Sequence, residues 1–246
     1  MSESKEIIGR IHSVETCGTV DGPGIRYIIF MQGCPLRCLY CHNPDSWNIN
    51  SASAKEMTVS DLMADIRKYK SFMRFSGGGV TVSGGEPLMQ HEFVTKLFKA
   101  CQKEGINTTL DTSGFADLEI VSPIFEYTNL ILLDIKSYNE ETYKNLTGAE
   151  LTPTLKFLNH TKEIGLPVWV RFVLVPGITD NIADIKEMAK FLSSFENIKK
   201  VDILPFHKMG EHKWELLKID YQLKNTRSPS KFEVDKVKDI FAKYSL

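Results

Sequence analysis

Short runs dense in Val, Ile, Leu and Phe alternate along the chain with longer stretches in which apolar residues recur every three or four positions. The first pattern is that of strands buried on both faces, and the second is that of amphipathic helices packed against them. Strands are expected at Ile25–Met31, Gly79–Ser83, Thr108–Thr112, Leu130–Ile135, Val168–Val175 and Val201–Pro205. Helices are expected at Val59–Phe72, His91–Glu104, Thr154–Ile164 and Ile182–Phe195. Gly105 and Gly165 follow two of these helices, where a left-handed turn commonly ends a helix. A terminal helix is expected at about 232–244, after a polar loop at Tyr221–Pro229.

The regular alternation predicts an α/β protein of six parallel βα units. No repeat, low-complexity tract or linker interrupts it, so one domain over residues 1–246 is the simplest organisation. Six units fit either a doubly wound sheet or a TIM-like (β/α)6 barrel that is incomplete relative to the eight-fold form. The polar clusters favour the barrel, because they fall at the C-terminal ends of strands. A cysteine loop follows the first strand and Gly84-Gly85-Glu86 the second; Asp111 and Thr112 end the third, and Asp134 with Lys136 the fourth. Arg171 lies in the fifth and His207 follows the sixth. Strand C-termini of a barrel converge on one mouth, whereas a doubly wound sheet would scatter these groups.

Composition narrows the class. The 246 residues are 42% hydrophobic, enough for a substantial core. Thirty Lys and Arg balance thirty-one Asp and Glu, with no basic stripe, which argues against nucleic acid as a partner. The polar start Met1–Arg10 has none of the apolar character of a secretory signal, and no run approaches the length of a membrane span. A cytoplasmic protein is expected. Three of the five cysteines crowd into eight residues, a spacing that suits a metal or cluster site better than a disulfide framework.

That loop is Cys34-Pro-Leu-Arg-Cys38-Leu-Tyr-Cys41-His42. Cysteine thiolates hold iron–sulfur clusters, and a cubane with three local cysteines has one iron left open. The competing assignment is a structural zinc with His42 or Cys17 as fourth ligand, but such sites usually combine two ligand pairs, and no second pair exists. Cys101, inside a helical stretch, suits a small buried apolar residue.

The C-x3-C-x2-C loop with Tyr40 before its last cysteine, together with Gly84-Gly85-Glu86-Pro87, resembles the radical S-adenosylmethionine (SAM) superfamily. With Gly18 to Arg26, Leu133-Asp134-Ile135-Lys136 and Leu204-Pro205-Phe206-His207 added, the chain resembles the glycyl-radical-enzyme activases from about Gly9 to Trp214. The resemblance implies a [4Fe-4S] cluster on Cys34, Cys38 and Cys41, with SAM chelating the open iron. Reductive cleavage of SAM to a 5′-deoxyadenosyl radical, and hydrogen abstraction from a partner's glycine, would follow. It places Tyr40, Cys41, His42, Gly84, Gly85, Glu86, Asp111, Asp134, Ile135, Lys136 and His207 at SAM, and Asp111, Thr112 and Asp134 at a small monovalent cation. Cys17, Asp21 and Arg171 would meet the partner protein.

No cysteine lies between the cluster loop and Gly84, so the chain matches the single-cluster activases whose partner is formate C-acetyltransferase. A flavodoxin or ferredoxin-type electron donor and a monomeric state are further expectations. The alternatives are a radical SAM enzyme acting on a small molecule or another glycyl radical enzyme, an electron-transfer iron–sulfur protein, and a zinc-stapled module. Neither of the last two accounts for the Gly-Gly-Glu segment or the charged strand ends.

Overall fold

The computed structural model describes residues 7–246, so the first six residues of the polar Met1–Arg10 segment lie outside the described part. The described residues fall into two compact units. One comprises the chain up to Cys34, Asn48–Thr112 and Ala116–Leu132; the other comprises Pro35–Trp47, Ser113–Phe115 and Leu133–Leu246.

In the first unit the strands are β1 (Ile8–Gly18), β2 (Arg26–Met31), β3 (Lys55–Thr58), β4 (Gly79–Gly84), β5 (Asn107–Thr112) and the start of β6 (Leu130–Asp134), laterally ordered β3-β1-β2-β4-β5-β6. β2, β4 and β5 run parallel, with Arg26 opposite Gly79 and Gly79 opposite Asn107. The helices are α1 (Val59–Ser76), α2 (His91–Lys103) and the short α3 (Leu118–Val121). A reciprocal capping box between Thr58 and Asp61 starts α1, and Gly77 at φ 70° ends it. The apolar face of α2 buries Phe93, Val94, Leu97, Phe98 and Cys101.

The second unit continues β6 with α4 (Glu140–Thr147), α5 (Thr152–Glu163), β7 (Val168–Leu174), α6 (Ile182–Leu192), β8 (Ile198–Pro205), α7 (Glu211–Leu216) and α8 (Lys231–Ala242). β6, β7 and β8 are neighbours in that order, and β7 pairs with β8 in parallel. Along β7, Val168, Val170, Phe172 and Leu174 are buried while Trp169, Arg171 and Val173 between them are not. That leaves Arg171 half-buried, on the other side of the strand from those four residues. Among the described residues no helix is long and apolar enough to cross a membrane.

All six expected parallel strands and all five expected helices are present, with ends moved by one to four residues. Two strands go beyond the expectation: β1 and β3 add an antiparallel edge to the parallel set. β1 carries Arg10, His12 and Glu15 among its apolar positions, and that mixed polarity hides a strand that lies between β3 and β2. Cys17 and Gly18 are the last residues of β1. Gly77-Gly78-Gly79, which by composition alone would pass for a flexible spacer before β4, is closely packed at two of its three positions. Gly78 lies so close to Ile25 that a Cβ would overlap its carbonyl, and one on Gly79 would overlap that of Asn107. Gly78 and Gly79 are there for close backbone approach.

Candidate active site

In the first unit, β2 delivers the chain through Gln32 and Gly33 to Cys34. The Gly84-Gly85-Glu86 segment lies directly against this approach. Gly85 N–H donates to Met31 O at 2.9 Å and Glu86 N–H to Gly33 O at 2.7 Å. Gly84 sits at φ 106°, and a Cβ there would overlap the Met31 backbone. The sequence suggested that these glycines admit a ligand; in the structure they first admit the backbone that leads into the cysteine loop. Glu86 is buried, accepting from Leu88 N–H at 3.2 Å and from the Thr112 hydroxyl at 2.6 Å. Asp111 is buried and takes the Ser83 hydroxyl.

The Gly18–Gly24 segment of the same unit rests on a buried arginine. Arg26 is fully enclosed and donates to Thr81, Asn107, Thr109 and the Val80 carbonyl. Burial lowers its pKa to about 10, against the pull of Asp21 and Cys101. The Thr81 hydroxyl in turn holds the Asp21 carbonyl at 2.7 Å. The segment is thus held by its backbone, while Cys17 and Val20 remain exposed.

In the second unit the loop continues through Cys38 and Cys41, with Cys41 N–H donating to Cys38 O at 3.0 Å. Burial pushes the Cys38 thiol up to about 11, opposed by Lys136. Burial also raises Cys41, opposed by hydrogen bonds from the Asn43 backbone and the Trp47 side chain and by Lys136. Lys136 Nζ stands 5.6 Å from the centre of the Tyr40 ring. His42 stacks on His207 with ring centres 4.3 Å apart, and burial lowers its pKa. Ile135 is fully buried, and its N–H donates to Arg171 O at 3.1 Å.

Asp134 is the hub of the charged groups. Its carboxylate meets Lys136 Nζ at 2.6 Å and Arg171 Nε at 3.1 Å. Burial raises the Asp134 pKa, but Arg171 and Lys136 together outweigh it and hold the carboxyl at about 2. Burial likewise opposes the charge on Lys136, and Asp134, Tyr40 and Cys38 overcome it, so this lysine is held firmly protonated. Arg171, expected at the partner, thus has Asp134 as one of its contacts. Among the described residues no three His, Cys, Asp or Glu side chains gather as a single-ion site.

Two elements that sequence reasoning missed position the cysteine loop. The last carbonyls of α4 receive it: Arg37 N–H donates to Thr147 O at 2.7 Å and Leu39 N–H to Leu146 O at 3.0 Å. A helix C-terminus leaves such carbonyls free, and here the loop satisfies them. The signals were present in the Asn139 cap and in Gly148, left-handed at φ 72°, but only Tyr143, Leu146 and Thr147 are buried between them. The other missed element is α7, whose Trp214 and Lys213 reach back to the residues after Cys38.

The residues present suit an iron–sulfur cluster and a nucleoside-bearing ligand. Three thiols lie in one short loop, two of them largely withdrawn from water beside a fixed lysine. Two buried polar atoms, Tyr40 Oη and His207 Nδ1, end without a hydrogen-bond partner among the described residues. Buried polar atoms are normally satisfied, so these two are donors or acceptors available to a ligand.

Comparison with known proteins agrees. Residues 28–192 match the family model of the radical SAM superfamily. The chain is 45% identical over 240 residues to the pyruvate formate-lyase 1-activating enzyme of Escherichia coli (strain K12), covering 97% of each chain. It is 48% identical over 227 residues to the pyruvate formate-lyase-activating enzyme of Staphylococcus epidermidis, covering 90% of each. Its fold matches the crystal structure of a radical SAM methyltransferase from Sphaerobacter thermophilus with a TM-score of 0.66 at 15% identity, over 90% of this chain and 64% of that one. The fold is therefore the mostly parallel, unclosed α/β barrel of radical SAM enzymes, whose cofactors are a [4Fe-4S] cluster and SAM. The chain belongs to the radical SAM superfamily and, within it, to the family of the pyruvate formate-lyase activating enzymes.

Proposed function

We propose that this chain activates a glycyl radical enzyme of the pyruvate formate-lyase type, formate C-acetyltransferase, with Cys34, Cys38 and Cys41 as the three cluster ligands. Bound there, the cluster and SAM supply a 5′-deoxyadenosyl radical that takes a hydrogen atom from the partner's glycine. The observation that carries this reading is the backbone pairing of Gly85 and Glu86 with Met31 and Gly33. It sets the Gly-Gly-Glu segment beside the entry to a three-cysteine loop.

The chain's own residues bind, orient and keep the site dry. Gly84 and Gly85 present backbone at close range to the amino-acid end of SAM, with Glu86 beneath them. Lys136, kept charged by Asp134, offsets negative charge in the cluster loop and meets the SAM carboxylate. Asp111, Thr112 and Asp134 supply oxygen ligands for a small monovalent cation beside that carboxylate. Tyr40, Cys41, His42, Ile135 and His207 line the nucleoside end. Burial of Cys38 and Tyr40 keeps water away from a reactive species that water or stray groups would otherwise quench.

Cys17, Asp21 and Arg171 are assigned to the partner's glycine loop. The backbone of Asp21 is held while Cys17 and Val20 lie exposed, which suits a rigid edge that receives another chain. A flavodoxin or ferredoxin-type donor supplies the electron, and the protein works as a cytoplasmic monomer.

The test is anaerobic reconstitution with iron and sulfide, followed by three measurements. These are iron content, 5′-deoxyadenosine formation from SAM under reductant, and the glycyl-radical signal on added pyruvate formate-lyase by electron paramagnetic resonance (EPR). Four irons per chain, SAM cleavage and a protein radical are expected. Full SAM cleavage without a radical on that partner would overturn the partner assignment, and absence of iron binding would overturn the cluster.

A further inference from the structure

The last two turns of α1 display side chains that a helix normally covers. Leu62, Ile66 and Met73 are buried along one side of it. Phe72 and Phe75, three positions apart and so on a shared face, are instead 60% and 83% exposed. The Arg74 guanidinium lies over the Phe75 ring, 5.3 Å from its centre. Arg67 and Lys70 meet Glu104 and Lys68 meets Asp65, while Arg74 has no acidic partner among the described residues. Single exposed apolar residues are ordinary on a protein surface. Two phenylalanines beside an arginine without a counter-charge have the composition of an interface anchor. This end of α1 is also joined to the segment assigned to the partner's glycine loop. The Ser76 hydroxyl, next to Phe75 in the chain, accepts the Ile25 N–H at 2.8 Å. Gly24, left-handed at φ 67°, packs so closely that a Cβ would come within 2.6 Å of the Ser76 carbonyl oxygen. Val20, in the same segment, is 79% exposed.

We propose that Phe72, Arg74 and Phe75, continued by Val20, form the surface on which the folded body of the glycyl radical enzyme docks while its glycine loop is engaged by the neighbouring Cys17–Gly24 segment. The proposal rests on that segment serving the partner. Continuity decides the occupant, because the backbone of Gly24 and Ile25 is fixed to the same helix turn that carries Phe75. A glycine that is to meet SAM has to be presented on a loop that leaves the partner's own fold, and ordering such a loop costs affinity. A second contact, made to the folded part of the partner, offsets that cost by turning arrival of the loop into an intramolecular step at raised effective concentration. Neither an electron carrier nor a second copy of this chain has reason to adjoin the glycine-loop segment. The matching surface on the partner is an apolar depression bordered by a carboxylate, since it receives two phenyl rings and the Arg74 charge.

The experiment compares reconstituted wild type, the double variant Phe72→Ala/Phe75→Ala, Arg74→Glu, and Phe232→Ala, which removes an equally exposed phenylalanine of α8 as a control. Dithionite is the reductant throughout, so no protein electron donor enters the assay. Each is titrated with whole pyruvate formate-lyase, read as glycyl radical by EPR, and with a short synthetic peptide carrying that enzyme's glycine-loop sequence, read as 5′-deoxyadenosine formed. The double variant and Arg74→Glu should each raise the half-saturating concentration of the whole partner about tenfold and leave that of the peptide unchanged. The limiting rate and the melting temperature should stay near wild type, as should every value for Phe232→Ala. An unchanged half-saturation with the whole partner, or an equal loss with the peptide, would overturn the docking surface. So would self-association of the wild type, by sedimentation, that the double variant loses, since the face would then belong to a second copy. Absence of any wild-type radical on pyruvate formate-lyase would overturn the partner reading itself, which separates the two failures.

Discussion

Replacing Asp134 with Asn removes a negative charge that two buried cations share. In the wild type its carboxylate bridges Lys136 and Arg171 at 2.6 and 3.1 Å, and the three side chains are between 12% and 18% exposed. Asn keeps the shape and can accept one hydrogen bond, but it removes the negative charge that Lys136 and Arg171 both meet. Removing one member of a buried ion pair costs about 3–5 kcal/mol, and the residual exposure here favours the lower end. The pKa provides a second measure. The carboxyl is held at about 2 against its ordinary 3.8, and at 1.36 kcal/mol per unit this contributes about 2 kcal/mol at neutral pH.

Because the folded pKa is depressed, this contribution is fully present above pH 3.8 and is lost as the pH falls through about 2; about half should remain at pH 3. Urea unfolding of the metal-free protein should therefore show Asp134→Asn less stable than wild type by about 2–3 kcal/mol at pH 7. The gap should be constant down to about pH 5 and should have narrowed by about half at pH 3. A gap below about 1 kcal/mol at pH 7 would mean that the network behaves as an exposed pair, and a gap independent of pH would mean that the loss is not one of charge.

Three further outcomes can be checked. Cys34→Ser, Cys38→Ser and Cys41→Ser should each fail to hold a full cluster by iron and sulfide analysis, whereas Cys101→Ser, buried on α2 against Met63, should retain its iron. Gly78→Ala should lower the melting temperature far more than Gly77→Ala: an added methyl overlaps the Ile25 backbone in the first case but meets open space at a left-handed turn in the second, costing only about 1 kcal/mol. Asp21→Ala should weaken glycyl-radical formation on the partner, measured by EPR, while SAM titration of the reduced cluster stays near wild type. Loss of SAM binding with partner affinity intact would mean that this segment serves the other ligand.

The sequence by itself determined what local chemistry carries. Both-face burial shows in a continuous apolar run and amphipathic packing in a 3.6-residue period, so the six parallel strands and the five longer helices were legible within a few residues. The cysteine spacing and Gly84-Gly85-Glu86 were legible for the same reason, since each is a contiguous segment whose chemistry depends on neighbours in the chain. Tertiary structure decided whatever depends on partners distant in sequence. Strands β1 and β3 are stabilised by pairing across the sheet, which no periodicity announces, and the charged residues they carry mask them. Gly78 and Gly79 look like a flexible spacer until the backbones of Ile25 and Asn107 are laid against them. Arg171, one charge in a strand, became part of a network only when β6 brought Asp134 beside it, 37 residues away in the chain. Trp214 had no local signal at all. Its place at Cys41 spans 173 residues, and a hydrogen bond closed over that distance exists only once the chain between has folded.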